Sequence, residues 1–326
     1  ENLKSLMHKK QSGSSVASVT VTYNPDPKTL QRQLDQVSPQ VGRVFLIDNG
    51  SSNAEEINRI AESIAHVRVI LCQTNLGLGH AQNLGIQACR DEGIAMVLLL
   101  DQDSIPRNNM VETLLTALNQ LTQVGKKVAA VGARYTGSYT GHPSFFVQFK
   151  RFRFRKCFCD HAESDQIISA DMLISSGSLI PIPALDTIGE MDQSLFIDHI
   201  DTEWCLRAKS LNWQSYGVCN ALMEHRLGEH TFRVWWGRWR YVSIHPPFRY
   251  YYIFRNSILL HRRSYSDTLW KHADQLRLLL ITVFVVLFSN QRLSCIKMIA
   301  RGVTDAIRHK TGSINLHWPQ VKNDHV

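Results

Sequence analysis

Apolar and polar positions in the first third of the chain alternate between two patterns. Residues 16–23 (VASVTVTY) form a β-branched, apolar run that stops at Asn24-Pro25, as a buried strand ending in a turn would. Residues 27–37 then set Leu30, Leu34 and Val37 on one face at helical spacing. The alternation continues with a strand over 44–47, a turn and helix start at 48–52, a helix over 55–65 and a strand over 67–71. A glycine-bearing turn at 75–79 leads into a helix over about 80–91 and a strand over 95–100. Near-continuous apolar strands separated by amphipathic helices predict an α/β fold, a Rossmann-like and mainly parallel sheet with helices on both faces. Ligands of such sheets bind beyond the carboxyl ends of the strands. Asp48, Asn75, Asp101 and Asp103 all fall there.

The second half has another texture. Residues 150–156 (KRFRFRK) alternate cations with aromatics, residues 171–182 predict a central strand with a Ser/Gly kink, residues 201–211 a helix, and residues 213–223 a short strand. Aromatics and arginines crowd residues 235–252. Residues 267–309 predict a largely helical region whose apolar run, 278–288, is shorter than the ~20 residues that cross a bilayer. Composition marks a flexible lead-in (1–14); the rest is expected to divide into a domain at 15–256, with halves meeting near 105, and a basic helical region at 257–326.

Composition narrows the class. With 326 residues, 44% of them hydrophobic, the chain can bury a large core, which excludes a collagen-like or disordered protein. Seven cysteines at scattered positions, none spaced C-x-x-C, predict neither a disulfide framework nor a zinc knuckle, and a reducing compartment. The first residues carry no export signal pattern, which favours the cytoplasm. Charge is uneven: from residue 230 onward 15 Lys and Arg face 4 Asp and Glu. That surplus calls for an anionic partner, whether nucleic acid, a phosphate-bearing substrate or a membrane surface.

Candidate chemistry sits at the strand ends. Asp101-x-Asp103 offers two carboxylates on one turn, the oxygen donors a hard divalent cation takes, although helix caps use aspartates as well. Asp48 is either an acceptor for a base or ribose group or a cap for the helix that follows. Gly77 and Gly79 match a dinucleotide fingerprint only in part, since its third glycine is Gln82 here; Asn83 and the turn suit polar ligand contact or close packing. Asp198, Asp201 and Glu203 lie within six residues, as a general base would or as an acidic helix start favoured by the macrodipole. His225 follows a strand and is a further candidate metal ligand.

In this order, the pieces resemble glycosyltransferase family 2, inverting enzymes of the GT-A fold, and within it the bacterial rhamnosyltransferases. The matching segments are Val21-Thr-Tyr-Asn-Pro25, Ile47-Asp-Asn-Gly-Ser-Ser52, Asn75-x-Gly-x-Gly-x-Ala-x-Asn-x-Gly85 and Leu100-Asp-Gln-Asp103. Further on are Ser176-Gly-Ser178, Ile188-Gly-x-Met-Asp192, Leu195-Phe-Ile-Asp-x-x-Asp-x-Glu-Trp-Cys-Leu-Arg207, His225 and Tyr251-Tyr-x-x-Arg-Asn256.

The resemblance implies roles. Tyr23 and Asp48 line the base pocket with Asn75, Gly79 and Asn83 nearby, and Asp101 faces the ribose or metal-bound water. Asp103, with Asp101 and His225, holds Mg²⁺ or Mn²⁺, and Arg255 clamps the diphosphate. Asp201 takes the position of the catalytic base, although Ile200 replaces the acid usual before it, leaving Asp198 and Glu203 as alternatives. The implied donor is a nucleoside-diphosphate sugar, dTDP-L-rhamnose foremost and a UDP-sugar such as UDP-galactofuranose second. The implied acceptor is a glycan on a polyprenyl diphosphate, in O-antigen or capsule synthesis at the cytoplasmic face of the membrane. The basic C-terminal region then meets an inner-leaflet membrane surface or a second copy in a homodimer. A basic, non-catalytic scaffold that binds nucleic acid or membrane is the competing class; the acidic strand ends and the lack of a nucleic-acid module weigh against nucleic acid.

Overall fold

The computed structural model describes residues 15–136, 144–161, 164–224, 231–235, 239–243 and 245–314. The expected lead-in and His225 lie outside them. The first half runs β1 (Val16–Thr22), α1 (Pro27–Val37), β2 (Arg43–Asp48), α2 (Ala54–Glu62), β3 (Val67–Leu71), α3 (Leu78–Asp91) and β4 (Met96–Asp101). Helix α1 starts where its chemistry dictates: Asp26 accepts from the Thr29 N–H at 2.9 Å, and Pro27 opens the first turn. Then come β5 (Ile105–Pro106), α4 (Met110–Gln123), β6 (Val128–Thr136), β7 (Phe145–Lys150), β8 (Arg153–Phe158), β9 (Ile167–Ala170), β10 (Ser178–Pro181), α5 (Ile182–Ile188), α6 (Ile200–Ser210) and β11 (Gln214–Glu224). A β12–β13 hairpin (Thr231–Trp235, Trp239–Ser243) precedes α7 (Pro247–His261), α8 (Thr268–Phe288) and α9 (Arg292–Ile307).

The main sheet is ordered β3-β2-β1-β4-β10-β6-β11-β5, with β9 beside β11. Pairing is parallel among β3, β2, β1 and β4; β10 enters antiparallel between β4 and β6, and β11 returns parallel to β6. One face buries Phe45, Ile47 and Leu99 under α3, α5 and α6, and the other buries Leu46, Leu98 and Leu100 under α1, α2 and α4. The carboxyl ends of β1, β2 and β4 therefore open on one edge, carrying Asp48 and Asp101.

Three expectations change. The strand expected over 171–182 is only Ser178–Pro181, because Gly177 at φ +80° turns the chain just before it. The helical region expected over 267–309 breaks at 289–291, and the aromatic crowd ahead of it contains α7. Cys159 and Cys219 are joined by a disulfide, which the expectation of no disulfide framework and a reducing compartment did not include; antiparallel pairing of β9 with β11 brings the two segments together. The segment KRFRFRK makes the β7–β8 hairpin. Its aromatics pair across the strands, Phe149 edge-on to Phe154 at 5.9 Å, with Lys156 Nζ 4.1 Å over the Phe145 ring.

The C-terminal helices are welded to the rest. Tyr250, Ile253 and Phe254 of α7 pack on Leu278 and Val285 of α8 and Cys295 of α9, and the Tyr251 hydroxyl donates to Asp305 at 3.0 Å. Gly302 lets α9 reach the α7 backbone, since a Cβ there would lie 2.5 Å from the Tyr251 carbonyl oxygen. Gly302→Val should therefore lower stability by about 1–3 kcal/mol in a denaturation experiment. An unchanged melting temperature would mean that the two helices separate at no cost.

Candidate active site

The turn that ends β4 is held from several sides. Gln33 of α1, buried among leucines, donates through Nε2 to the carbonyls of Asp101 and Ser104, the latter at 2.6 Å. The Asp101 N–H donates to Ser176 Oγ at 3.0 Å, and that hydroxyl donates to Ser104 Oγ at 2.6 Å. The Tyr23 N–H donates to Gln102 Oε1 at 2.8 Å. Asp101 and Asp103 thus ride on a turn whose backbone has little freedom.

The loop entering α6 lies within electrostatic reach of this turn, since the charge of Asp101 acts on Asp201 and Arg249. Phe196, Asp198 and His199 all adopt positive φ, 68°, 63° and 66°, a conformation that costs non-glycine residues energy unless neighbours enforce it. Here the enforcement comes from Asn256, whose Nδ2 lies 3.0, 2.8 and 2.9 Å from the carbonyls of Leu195, Ile197 and Asp198. Arg255 adds a hydrogen bond to the Leu195 carbonyl at 2.8 Å. The turn at Gly77 docks on the same loop, the Leu78 N–H donating to the Phe196 carbonyl at 2.7 Å.

Asp201 sits in the first turn of α6, its Oδ1 accepting from the Thr202 N–H at 2.7 Å. Burial, reinforced by the negative charges of Asp101 and Asp198, pushes its carboxyl up to about 6, against a pull downward from the Thr202 N–H. Arg249 of α7 pairs with Asp198 through Nε, at 3.3 Å, and Nη2. Burial works against its charge, but Asp198, Asp101 and Asp201 outweigh that and raise its pKa. Asp101, Asp198, Asp201 and Arg249 therefore form one electrostatic group. At neutral pH Asp201 is mostly ionised yet basic enough to take a proton, the poise a general base needs.

Several of the expected site residues are engaged by the chain itself. Glu203, offered as an alternative base, is 1% exposed and occupied: Arg207 contacts both its oxygens at 2.8 Å and the Tyr265 hydroxyl donates at 2.5 Å. It anchors α6 from behind. Arg255, offered as a diphosphate clamp, is 0% exposed and spent on the carbonyls of Leu195 and Gly312 and on Asn256 Oδ1. Asn83 is used by the chain as well, its amide bridging the Met191 carbonyl and N–H at 2.9 and 3.0 Å. Gly79 serves close packing, a Cβ there lying 3.2 Å from the Asp192 carbonyl oxygen.

At the β2 end, Asp48 is buried and accepts from the Thr22 hydroxyl at 3.1 Å, from the Ser51 N–H at 3.0 Å and from the Ser51 hydroxyl. It fixes the turn rather than capping α2, which begins later, at Ala54. Asn75 Oδ1 accepts from Asn49 Nδ2 and from the Gly77 N–H, each at 3.0 Å, shaping the glycine turn. Tyr23 is exposed beside them. Among the described residues no group of three or more His, Cys, Asp or Glu is placed to enclose a metal ion. The pair Asp101 and Asp103 still fits a hard dication by chemistry, since such ions take one or two protein carboxylates and complete their shell with phosphate oxygens and water.

Sequence reading missed Arg249, Gln33 and His199. A glutamine on the leucine face of α1 was the visible sign for Gln33. His199 Nε2 lies 3.0 Å from both Ser257 Oγ and Arg277 Nη2, and burial with Arg277 lowers its pKa to about 4, keeping it neutral.

Residues 18–170 match the family model described as Glycosyl transferase family 2. The chain is 27% identical over 300 residues to dTDP-rhamnosyl transferase RfbF of Shigella flexneri, covering 92% of this chain and 97% of that protein. The solved structure of S. aureus TarS 1-349 is similar at a TM-score of 0.51 and 12% identity, and its complex with UDP-GlcNAc at 0.52 and 13%; each comparison covers 90% of this chain and 81% of the other. The site described above thus belongs to a glycosyltransferase of the GT-A fold, whose residues 18–170 are similar to family 2.

Two buried carboxylates should respond oppositely to neutralisation. The folded pKa of Asp201, about 6 against an ordinary 3.8, means its ionised form is the costly one, so stability is lost as pH rises between those values. Asp201→Asn should raise the melting temperature above about pH 7, on the order of 1 kcal/mol, and the gain should vanish near pH 4. Glu203→Gln breaks a buried pair and should cost about 3–5 kcal/mol at neutral pH. Chemical denaturation across pH checks both.

Proposed function

We propose that the chain transfers a rhamnosyl group from dTDP-L-rhamnose to a glycan hydroxyl with inversion, using Asp201 as the general base. The observation that carries this reading is the place of Asp201: it sits in the first turn of α6, within electrostatic reach of Asp101, and has its pKa raised to about 6 by burial and by the charges of Asp101 and Asp198. Support for the donor comes from the rhamnosyl transferase relative that aligns over nearly the whole chain.

Asp201 takes the proton of the acceptor hydroxyl as that oxygen forms its bond to the anomeric carbon. The bond from that carbon to the diphosphate oxygen breaks on the opposite face, and the electron pair leaves with dTDP. Direct displacement inverts the configuration and needs no enzyme nucleophile. Asp103 with Asp101 would hold Mg²⁺ or Mn²⁺, which when bound supplies electrostatic stabilisation of the leaving diphosphate. Arg249 replaces Arg255 as the guanidinium suited to phosphate oxygens, since it lies within the carboxylate group rather than inside the core. Tyr23 offers a ring face to the base, and Asp48 with Asn75 keeps the strand-end turns in shape for it. The acceptor is a glycan carried on a polyprenyl diphosphate, met at the cytoplasmic face of the membrane during synthesis of a surface polysaccharide.

A ligand bound only by the folded chain raises its melting temperature. The rise should be larger with dTDP than with UDP, should require Mn²⁺ or Mg²⁺, and should disappear in Asp103→Asn. A stronger response to UDP would move the donor to a UDP-sugar such as UDP-galactofuranose. Asp201→Asn should keep the dTDP-dependent rise while losing about 10²–10⁴-fold in transfer rate. Loss of the rise in that variant would assign Asp201 to donor binding instead.

A further inference from the structure

The outer side of the α8–α9 hairpin is covered with apolar residues that face no other part of the described chain. On α8, Leu276, Leu279, Leu280, Val283, Val286 and Leu287 are exposed and recur at helical spacing, opposite the face that packs inward through Leu278 and Val285. At the tip Phe288 is exposed too, and beyond the turn Leu293 is 72% and Ile296 39% exposed. Singly exposed leucines are ordinary on a protein surface, but a run of this length on one hairpin marks an interaction site.

The charges around this surface identify the occupant. Between Thr268 and Ile314 the only acidic residues are Asp274 and Asp305, and both are buried: Asp274 is paired with His261 and Arg277, and Asp305 with Lys310 and Arg301. The exposed charged residues over the same stretch, Arg292, Lys297, Arg301, Arg308 and Lys310, are all cationic. A second copy docked through the same face would bring those cations together with no exposed acid on the hairpin to meet them. An anionic lipid surface answers both features, since it accepts apolar side chains at the acyl boundary and attracts Lys and Arg at about 1 kcal/mol each. Among the described residues no helix is long and apolar enough to cross a membrane, so the hairpin would lie in the interface.

We propose that the tip and outer face of the α8–α9 hairpin bind anionic phospholipid, with Leu287, Phe288 and Leu293 entering the headgroup layer and Arg292 and Lys297 pairing with lipid phosphates. The inference deepens the membrane-borne acceptor of the proposed function, but its readout is lipid binding, so either can fail without the other. Purified full-length chain is floated with vesicles of phosphatidylethanolamine and phosphatidylglycerol, and separately with phosphatidylcholine alone. The chain should rise with the first vesicles and not the second, and high salt should release it.

Leu287→Glu/Leu293→Glu should abolish flotation. Arg292→Glu/Lys297→Glu should weaken it by tenfold or more, from two attractions lost at about fivefold each. Both variants should keep the wild-type melting temperature and its nucleotide-dependent rise, because these side chains are exposed and far in sequence from the site. Equal flotation with phosphatidylcholine, flotation that survives both double substitutions, or no flotation would each overturn the proposal. A wild-type dimer in solution that Leu287→Glu/Leu293→Glu splits to monomers, with no lipid binding, would overturn it in favour of a second copy.

Discussion

Three carboxylates, Asp101, Asp198 and Asp201, are held within electrostatic reach of one another, and much of the molecule is arranged to keep them there against their own repulsion. Left to water, such a group would spread and its charges would be screened. In the fold it is partly relieved by one guanidinium, Arg249, and otherwise paid for by Asp201, whose proton is held more tightly than a carboxylate's usually is. That retained basicity is what a base needs, so the electrostatic cost and the chemistry share one origin.

The support is built in layers. On the sheet side, parallel pairing of β1 with β4 sets the height of Asp101, and Gln33 and Ser176 pin the turn that follows. On the other side, three residues at positive φ, Phe196, Asp198 and His199, aim the loop before α6, held by Asn256 and Arg255 from α7. Helix α7 is in turn packed against α8 and α9, and Arg277 of α8 reaches His199 beside the loop. The C-terminal helices are therefore part of what positions Asp201.

The parts of this arrangement that were legible in the sequence are those with a local cause. Apolar strands and amphipathic helices up to residue 101 announced themselves by period, and α1 began at the residue its cap and proline indicate. Asp101 and Asp201 were candidates in the sequence because a strand-end turn and a helix start carry them, and only the family resemblance singled out Asp201. What the sequence did not show is of tertiary origin. Arg255 and Arg249 are six residues apart on one helix, and only packing decides that the first is sealed in while the second faces the acids. Glu203 had a local clue in Arg207, four residues on, the spacing of an intrahelical ion pair. The Cys159–Cys219 bond spans 60 residues and follows from strand pairing that no local pattern foretold.

The central claim is that Asp201 is the titrating base and that Asp198 and Asp101 help to raise its pKa. The pH dependence of kcat/KM for sugar transfer tests it most directly, because that profile reports essential groups of the free enzyme. The account predicts that activity rises with pH through an apparent pKa near 6, and that Asp198→Asn moves this limb downward by removing a neighbouring charge. A limb at the ordinary carboxylate value, or one that Asp198→Asn leaves in place, would contradict it.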